Sequence, residues 1–315
     1  MYDIIGDIHG YASKLTELLA RLGYVNKAGV WQHPERQAVF VGDFVDRGPE
    51  QVQVVTIVKD MVEHGHARAV MGNHELNAIA WMTPDPLDPN GFMRVHSDKN
   101  RKQHRAFLEQ VSEGSELHHS MIEWFKSLPL FLELDRLRIV HACWHEPSLQ
   151  TVAPMLDEHQ RVKDECWESL LRKGTDLYEA SEILLKGLEI PLPHGHEFLD
   201  KEKNPRTQIR TRWWLAHKQI TYRDLAMVPA DVLKNIPHEP VQADVMPGYA
   251  GDKLLFVGHY WMSGKPEPLS EHVACVDYSV AAEDTQVKTH HGKLCAYRYE
   301  GEEKLRADNF VWVDA

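Results

Sequence analysis

No apolar stretch in this 315-residue chain approaches the roughly 20 residues that a membrane-spanning helix needs, so a membrane location is not expected. Basic charge is in deficit: 35 lysines and arginines stand against 47 aspartates and glutamates, a net charge of −12. Proteins that wrap a nucleic-acid backbone carry a basic excess or stripe, and only local basic clusters occur here. Broad nucleic-acid binding is therefore not expected. Cysteine is scarce. Cys143, Cys166, Cys275 and Cys295 are widely separated and form no CxxC pair, which fits a reduced cytoplasmic setting better than a disulfide framework. Met1-Tyr2-Asp3-Ile4-Ile5 lacks a basic region and enters an apolar strand at once, so it is not expected to be a signal peptide. Internal repeats and low-complexity tracts are also lacking.

What the chain does have is five short stretches rich in metal-seeking side chains. They are Gly6-Asp7-Ile8-His9-Gly10, Gly42-Asp43-Phe44-Val45-Asp46-Arg47-Gly48, Gly72-Asn73-His74-Glu75, Val140-His141-Ala142-Cys143 and Val257-Gly258-His259-Tyr260. Four of the five follow an apolar, β-branched run, which places each in a loop leaving the C-terminal end of a strand. Carboxylate, amide and imidazole groups collected there suit hard or borderline divalent metals. Taken singly, Asp7 and His9 are a polar turn, and His141 or His259 is a core or surface histidine. Six such groups behind successive strands reverse that reading.

The first part of the chain alternates as a layered α/β protein. Strands are expected at Tyr2–Ile5, Ala38–Val41 and Ala67–Met71, and helices at Tyr11–Leu22, Glu50–Glu63 and from Glu75 to Trp81. The proline- and glycine-rich run from Thr83 to Gly91 is a loop. Helices across Lys102–Gln110 and near His118–Ser127 precede strands at Phe131–Leu134 and Leu137–Val140. Residues 150 to about 245 are mostly amphipathic and helical (Cys166–Arg172, Tyr178–Leu188, Asp224–Asn235), with no strong sheet alternation. This segment is expected to be an inserted helical cap. The strand pattern resumes at Leu254–Val257, and Val273–Val276, Lys293–Tyr299 and Phe310–Val313 are expected as antiparallel strands.

The order GDIHG, GDFVDRG, GNHE, His, GH resembles the calcineurin-like metallophosphoesterase superfamily, in particular its phosphoprotein-phosphatase branch and bacterial relatives. The resemblance runs from Gly6 to His259, and Cys275-Val276-Asp277 resembles the family's C-terminal end. Two places depart from it. His141 is followed by Ala-Cys where the family has His-Gly-Gly or His-Ala-Gly, and Tyr-Trp follows Gly258-His259 where many bacterial relatives have Thr-Pro. The resemblance implies a four-layer α/β/β/α sandwich of two mixed sheets flanked by helices, as a single domain over 1–315 with a cap at about 150–245.

It also implies two divalent metal ions, manganese foremost and iron or zinc otherwise. Asp7, His9 and Asp43 would hold one, and Asp43, Asn73, His141 and His259 the other, with a shared hydroxide attacking phosphorus directly. His74, oriented by Asp46, would protonate the leaving oxygen, and Arg47 would grip phosphate oxygens. A second phosphate-binding arginine is expected from the family, with Arg210 and Arg212 as candidates; a solvated basic patch over Trp213 and Trp214 is the alternative. Tyr260, Trp261 and Cys143 adjoin expected ligands and are candidates to line the pocket, with Tyr260 expected among the substrate-binding residues and Cys143 more simply a small buried residue. The expected function is hydrolysis of a phosphomonoester, on protein phosphoserine or phosphothreonine or on a small molecule. Dinucleoside polyphosphate hydrolysis is the alternative, and a non-catalytic scaffold on the same fold the third reading.

Overall fold

A computed structural model describes residues 1–199, 203–215, 220–242, 247–282 and 292–315. The N-terminal half runs β1 (Tyr2–Ile5), α1 (Ala12–Arg21), β2 (Val25–Lys27), β3 (Val30–Gln32), β4 (Gln37–Phe40), α2 (Gln51–Glu63), β5 (Ala67–Ala69), α3 (Asn73–Met82), α4 (Asp98–Val111), α5 (Glu116–Lys126), β6 (Phe131–Glu133) and β7 (Leu137–Val140). There follow α6 (Glu146–Val152), α7 (Trp167–Leu171), α8 (Asp176–Lys186), β8 (Glu189–Pro191), β9 (Phe198–Leu199), β10 (Pro205–Arg206), β11 (Gln208–Arg210), α9 (Tyr222–Leu225) and α10 (Ala230–Leu233). The chain closes with β12 (Leu254–Val257), β13 (Val273–Cys275), β14 (Asp277–Tyr278), β15 (Lys293–Tyr299) and β16 (Phe310–Asp314).

Two mixed sheets carry the fold. One has the order β14-β15-β1-β4-β5, with β16 also paired to β15; the other is β13-β12-β7-β6. Their core strands are buried on both faces, and the sequence alternation shows it. Ile4, Val39, Leu137, Ile139, Leu254, Phe256 and Ala274 pack together with Cys295 and Tyr297 between the sheets. Their neighbours Ile5, Ala38, Phe40, Val140, Leu255, Val257 and Val273 face outward against the helices. Because side chains alternate along a strand, this double burial needs near-continuous apolar runs, which the strands have.

β1, β4 and β5 are mutually parallel, as are β7, β12 and β13. All six therefore end along one edge, where the loops that follow them gather. The two sheets are joined there by the His141 ring, which donates to Val41 O at 2.7 Å, while Gly258 N–H to His141 O at 2.8 Å continues the pairing of β12 with β7.

Three local expectations are corrected and one element was not foreseen. Val273–Cys275 is parallel to β12, not antiparallel, because it follows a crossover rather than a tight turn. The helix expected over Asp224–Asn235 is two four-residue turns, α9 and α10, since the residue before Pro229 is steered toward extended backbone. The segment after α8 contains two small ladders, β8 with β11 and β9 with β10, in a stretch expected to be mostly helical without strong sheet alternation. A β2–β3 hairpin was not foreseen; Ala28 and Gly29 turn it with φ of 52° and 94°. The boundary expected near 245 lies outside the described residues. Among the described residues no helix is long and apolar enough to cross a membrane.

Candidate metal centre

The first two motif loops are laced together by backbone. Ile8 and His9 both donate N–H to Asp43 O, at 3.0 and 2.9 Å, and Gly48 donates to His9 O at 2.8 Å. The third motif caps α3, whose N-terminus points at Asp43: His74 N donates to Asp43 Oδ1 at 2.9 Å, where the helix dipole favours a carboxylate. Close approach explains two glycines. A Cβ on Gly72 would sit 2.2 Å from Asp43 Oδ1, and one on Gly258 2.1 Å from Asp7 Oδ1. Six non-glycine residues here, His9, Asp43, Asp46, Arg47, His259 and Trp261, have φ between 47° and 76°. Such backbone costs about 1–3 kcal/mol per residue and concentrates at functional sites.

Two triads of ligand atoms each lie within 4.8 Å of one another, His9–Asp43–His74 and Asp43–His141–His259. Asp43 belongs to both. Its Oδ2 lies 3.2 Å from His141 Nε2, 3.8 Å from His9 Nε2 and 3.9 Å from His74 Nε2. Asn73 Oδ1 lies 3.2 Å from His141 Nε2 and 2.8 Å from His259 Nδ1. His9 Nδ1 donates to Val45 O at 3.0 Å, so its Nε2 lone pair faces the site, the outer support typical of a ligating imidazole. Asp7 lies outside both triads; its Oδ2 accepts the His259 N–H at 3.0 Å.

The residues fit divalent cations on two grounds. Asp7 Oδ1, His9 Nε2 and His259 Nε2 are buried polar atoms without a hydrogen-bond partner, and such groups call for an explanation. The electrostatics agree. Burial, with Asp277 and Asp43 nearby, pushes the Asp7 carboxyl well up. Burial and His74 lower His9 to about 3, and burial and Arg210 lower His259, so both imidazoles are neutral. Burial works to raise Asp43, yet His141 and His74 hold it well below the carboxylate range, while Asp43 lifts His141 to about 10 against the effect of burial. A ligating imidazole must be neutral, so cation binding at His141 requires loss of that proton.

Next to the triads stands a three-residue relay. His74 Nδ1 donates to Asp46 Oδ2 at 2.5 Å, and His104 Nδ1 donates to Asp46 Oδ1 at 2.6 Å. Burial opposes charge on both groups, but the two imidazoles hold Asp46 down, and Asp43 with Asp46 raises His74. His104, from α4, was missed; one histidine on a polar helix gives no signal. Gln51 was missed too. It accepts Asp46 N–H at 2.6 Å and donates to Gly48 O at 2.7 Å, fixing the turn that carries Asp46.

Glu75 was quoted within a motif without a role, and the structure gives it one. Its carboxylate accepts the N–H groups of Asp43 (2.8 Å), Gly72 (2.9 Å) and Phe44 (2.8 Å), pinning the Asp43 loop to α3. Burial and Asp43 raise its pKa to about 7. Glu75→Gln leaves an amide N–H facing backbone donors, and should cost about 1–3 kcal/mol of stability. Thermal unfolding of metal-depleted protein measures this; an unchanged midpoint would remove the anchoring role.

Arg47, Asp43, Asn73, His74 and His259 line a cleft of about 380 Å³ together with Arg210 and Trp261. Arg47 stacks on Trp261, its guanidinium carbon 4.3 Å from the ring centroid. Of the two candidate arginines, Arg210 reaches this cleft and Arg212 does not; Arg212 lines an adjoining one. Trp213 and Trp214 are buried. Tyr260 lines that adjoining cleft as well, and its hydroxyl accepts from Trp213 Nε1 at 2.7 Å and donates to Ala142 O at 3.0 Å, tying Trp213 to the loop after β7. Cys143 is fully buried and all four cysteines are unpaired.

Comparison with known proteins agrees with this geometry. A family model described as calcineurin-like phosphoesterase matches residues 2–260. The chain is 34% identical over 141 residues to a bis(5'-nucleosyl)-tetraphosphatase (asymmetrical), PrpE, of Oceanobacillus iheyensis, covering 44% of this chain and 54% of that one. It is 49% identical over 146 residues to the protein of the same name from Bacillus subtilis, covering 45% and 57%. The matches thus span about half the length of these curated relatives. The crystal structure of a cold-active protein-tyrosine phosphatase from a psychrophile, Shewanella sp., shares the fold at a TM-score of 0.50 and 14% identity, over 94% of this chain and 74% of that one.

Proposed function

The chain belongs to the calcineurin-like phosphoesterase family, and on that premise we propose that it is a dinuclear hydrolase of phosphoric ester and anhydride bonds, with dinucleoside tetraphosphates as its substrate class. The observation that carries the dinuclear reading is Asp43, common to two triads of ligand atoms. His9 and Asp43 of the first triad, joined by Asp7 with its partnerless Oδ1, would hold one cation, and Asp43, Asn73, His141 and His259 the other, which leaves His74 of the first triad as proton donor. Divalent cations, manganese foremost with iron or zinc as alternatives, supply Lewis acidity toward phosphoryl oxygens and a nucleophile at neutral pH.

The chain's own residues do the rest. Arg47 and Arg210 flank the cleft and bind phosphate oxygens with planar guanidinium forks. His74 holds a proton on Nε2, at the side of the ring away from Asp46, for the leaving oxygen. The catalytic domain is taken as 1–315 with its cap at about 150–245, and four unpaired cysteines favour the cytoplasm.

The substrate class rests on the tetraphosphatase relatives, which support it over the phosphoprotein reading. One observation keeps phosphomonoesters as the second reading. The His104–Asp46–His74 relay is fully formed, and an alkoxide leaving group needs a proton donor far more than a nucleotide phosphate does. A panel assay with added Mn²⁺ decides, using an aryl phosphate, phosphopeptides, a dinucleoside tetraphosphate and a cyclic nucleotide. The tetraphosphate should show the highest kcat/KM. No turnover of any of them with any metal would overturn the hydrolase reading.

A further inference from the structure

A second cleft, of about 780 Å³, adjoins the metal cleft and shares Arg210 and Trp261 with it. Its size falls in the range of small-molecule sites, about 300–1,000 Å³. Its charge departs from that of the chain. Three cations, Arg210, Arg212 and Lys265, face one carboxylate, Glu267, on a protein whose net charge is −12. Arg210 is only loosely engaged elsewhere, its Nε 3.9 Å from Glu189 Oε1 and without a hydrogen-bond partner.

Trp261 stands where the clefts meet. It is 38% exposed, an unusual position for a large ring, and its backbone has φ 51°, which bulky residues rarely adopt. Buried Asp277 holds it there: Oδ2 accepts Trp261 N–H at 2.8 Å, and the Asp277 carbonyl accepts Met262 N–H at 3.0 Å. The ring meets the Arg47 guanidinium at 4.3 Å and the His9 ring at 6.3 Å, and left-handed backbone at a bulky residue is the kind of strain that concentrates at ligand sites.

We infer that this second cleft is a leaving-group subsite for a nucleoside oligophosphate, in which Arg210, Arg212 and Lys265 bind successive phosphates beyond the scissile one and Trp261 stacks on the base. Arg210 and Trp261 are common to both clefts, so phosphates leading away from the metal cleft meet Arg210 first and the nucleoside folds back to set its base on Trp261. Aromatic stacking tolerates any base, so the subsite selects for phosphate number and an aromatic ring. The inference rests on the nucleotide reading of the site proposed above.

The test separates binding from turnover. ATP titrated calorimetrically into metal-depleted protein should bind about tenfold more weakly to the Arg212→Ala/Lys265→Ala double variant, the loss expected for charge-assisted phosphate contacts. In manganese-loaded enzyme the same variant should raise KM for a dinucleoside tetraphosphate by about tenfold, with a smaller rise for an aryl phosphate. Trp261→Ala should weaken ATP binding, and Trp261→Phe should restore most of it. Tetraphosphate hydrolysis with both variants binding ATP like wild type would overturn the subsite and leave the proposed function intact. ATP binding lost in the variants, with no tetraphosphate hydrolysis by wild type, would support an oligophosphate-binding cleft and overturn both the function and the leaving-group role that rests on it. Variants that weaken a phosphopeptide as much as ATP would overturn the nucleotide assignment.

Discussion

Asp43→Asn should empty both metal positions and remove nearly all turnover. The aspartate is the one side chain common to both triads, and an amide replaces its shared carboxylate with a single neutral acceptor. Removing one preorganised electrostatic group costs about 10²–10³ in kcat, and loss of two cations should exceed that. The fold should survive, because the loop is also held by backbone bonds from Ile8 and His9 and by Glu75. Elemental analysis of purified variant and wild type, with circular dichroism as the folding control, gives the result. Retention of two equivalents of metal would end the bridging role.

His74→Asn should slow turnover by roughly 10²–10⁴, the range for a lost general acid, while leaving metal content unchanged. The loss should depend on the leaving group. An alkyl phosphomonoester such as a phosphoserine peptide needs a proton at its departing oxygen, so its loss should lie at the upper end. An aryl phosphate or a tetraphosphate departs as a stable anion and should lose least. The basis is geometric: Asp46 holds His74 by Nδ1, and His104 holds Asp46, so Nε2 is the free edge. Equal losses across leaving groups would count against His74 as the donor and leave it as a structural partner of Asp43.

Much of the fold is legible in the sequence. The strand at Leu254–Val257 is a continuous apolar run, those at Tyr2–Ile5 and Leu137–Val140 are interrupted only by Asp3 and Arg138, and the helices before residue 130 follow regular spacing. Burial on both faces produces those runs, so pattern and structure agree. Local reading failed where the deciding partner is distant. Val273–Cys275 takes its direction from β12, and the turns around Pro229 depend on one imino acid more than on surrounding helical spacing.

The motifs by themselves determined the family and brought forward Asp7, His9, Asp43, Asp46, Arg47, Asn73, His74, His141 and His259, because each motif pairs a ligand type with the glycine or strand end that aims it. Only the tertiary structure decided which residues support them. Glu75 and Gln51 act through backbone N–H groups and turns, and His104 through a carboxylate that is 58 residues away in sequence. It also decided between two arginines separated by one residue, bringing Arg210 into the metal cleft and leaving Arg212 to its neighbour. Local sequence carries the chemistry of a side chain and the conformation of its loop. Which group a side chain meets is set by packing of two sheets and a cap, and packing is a property of the whole chain.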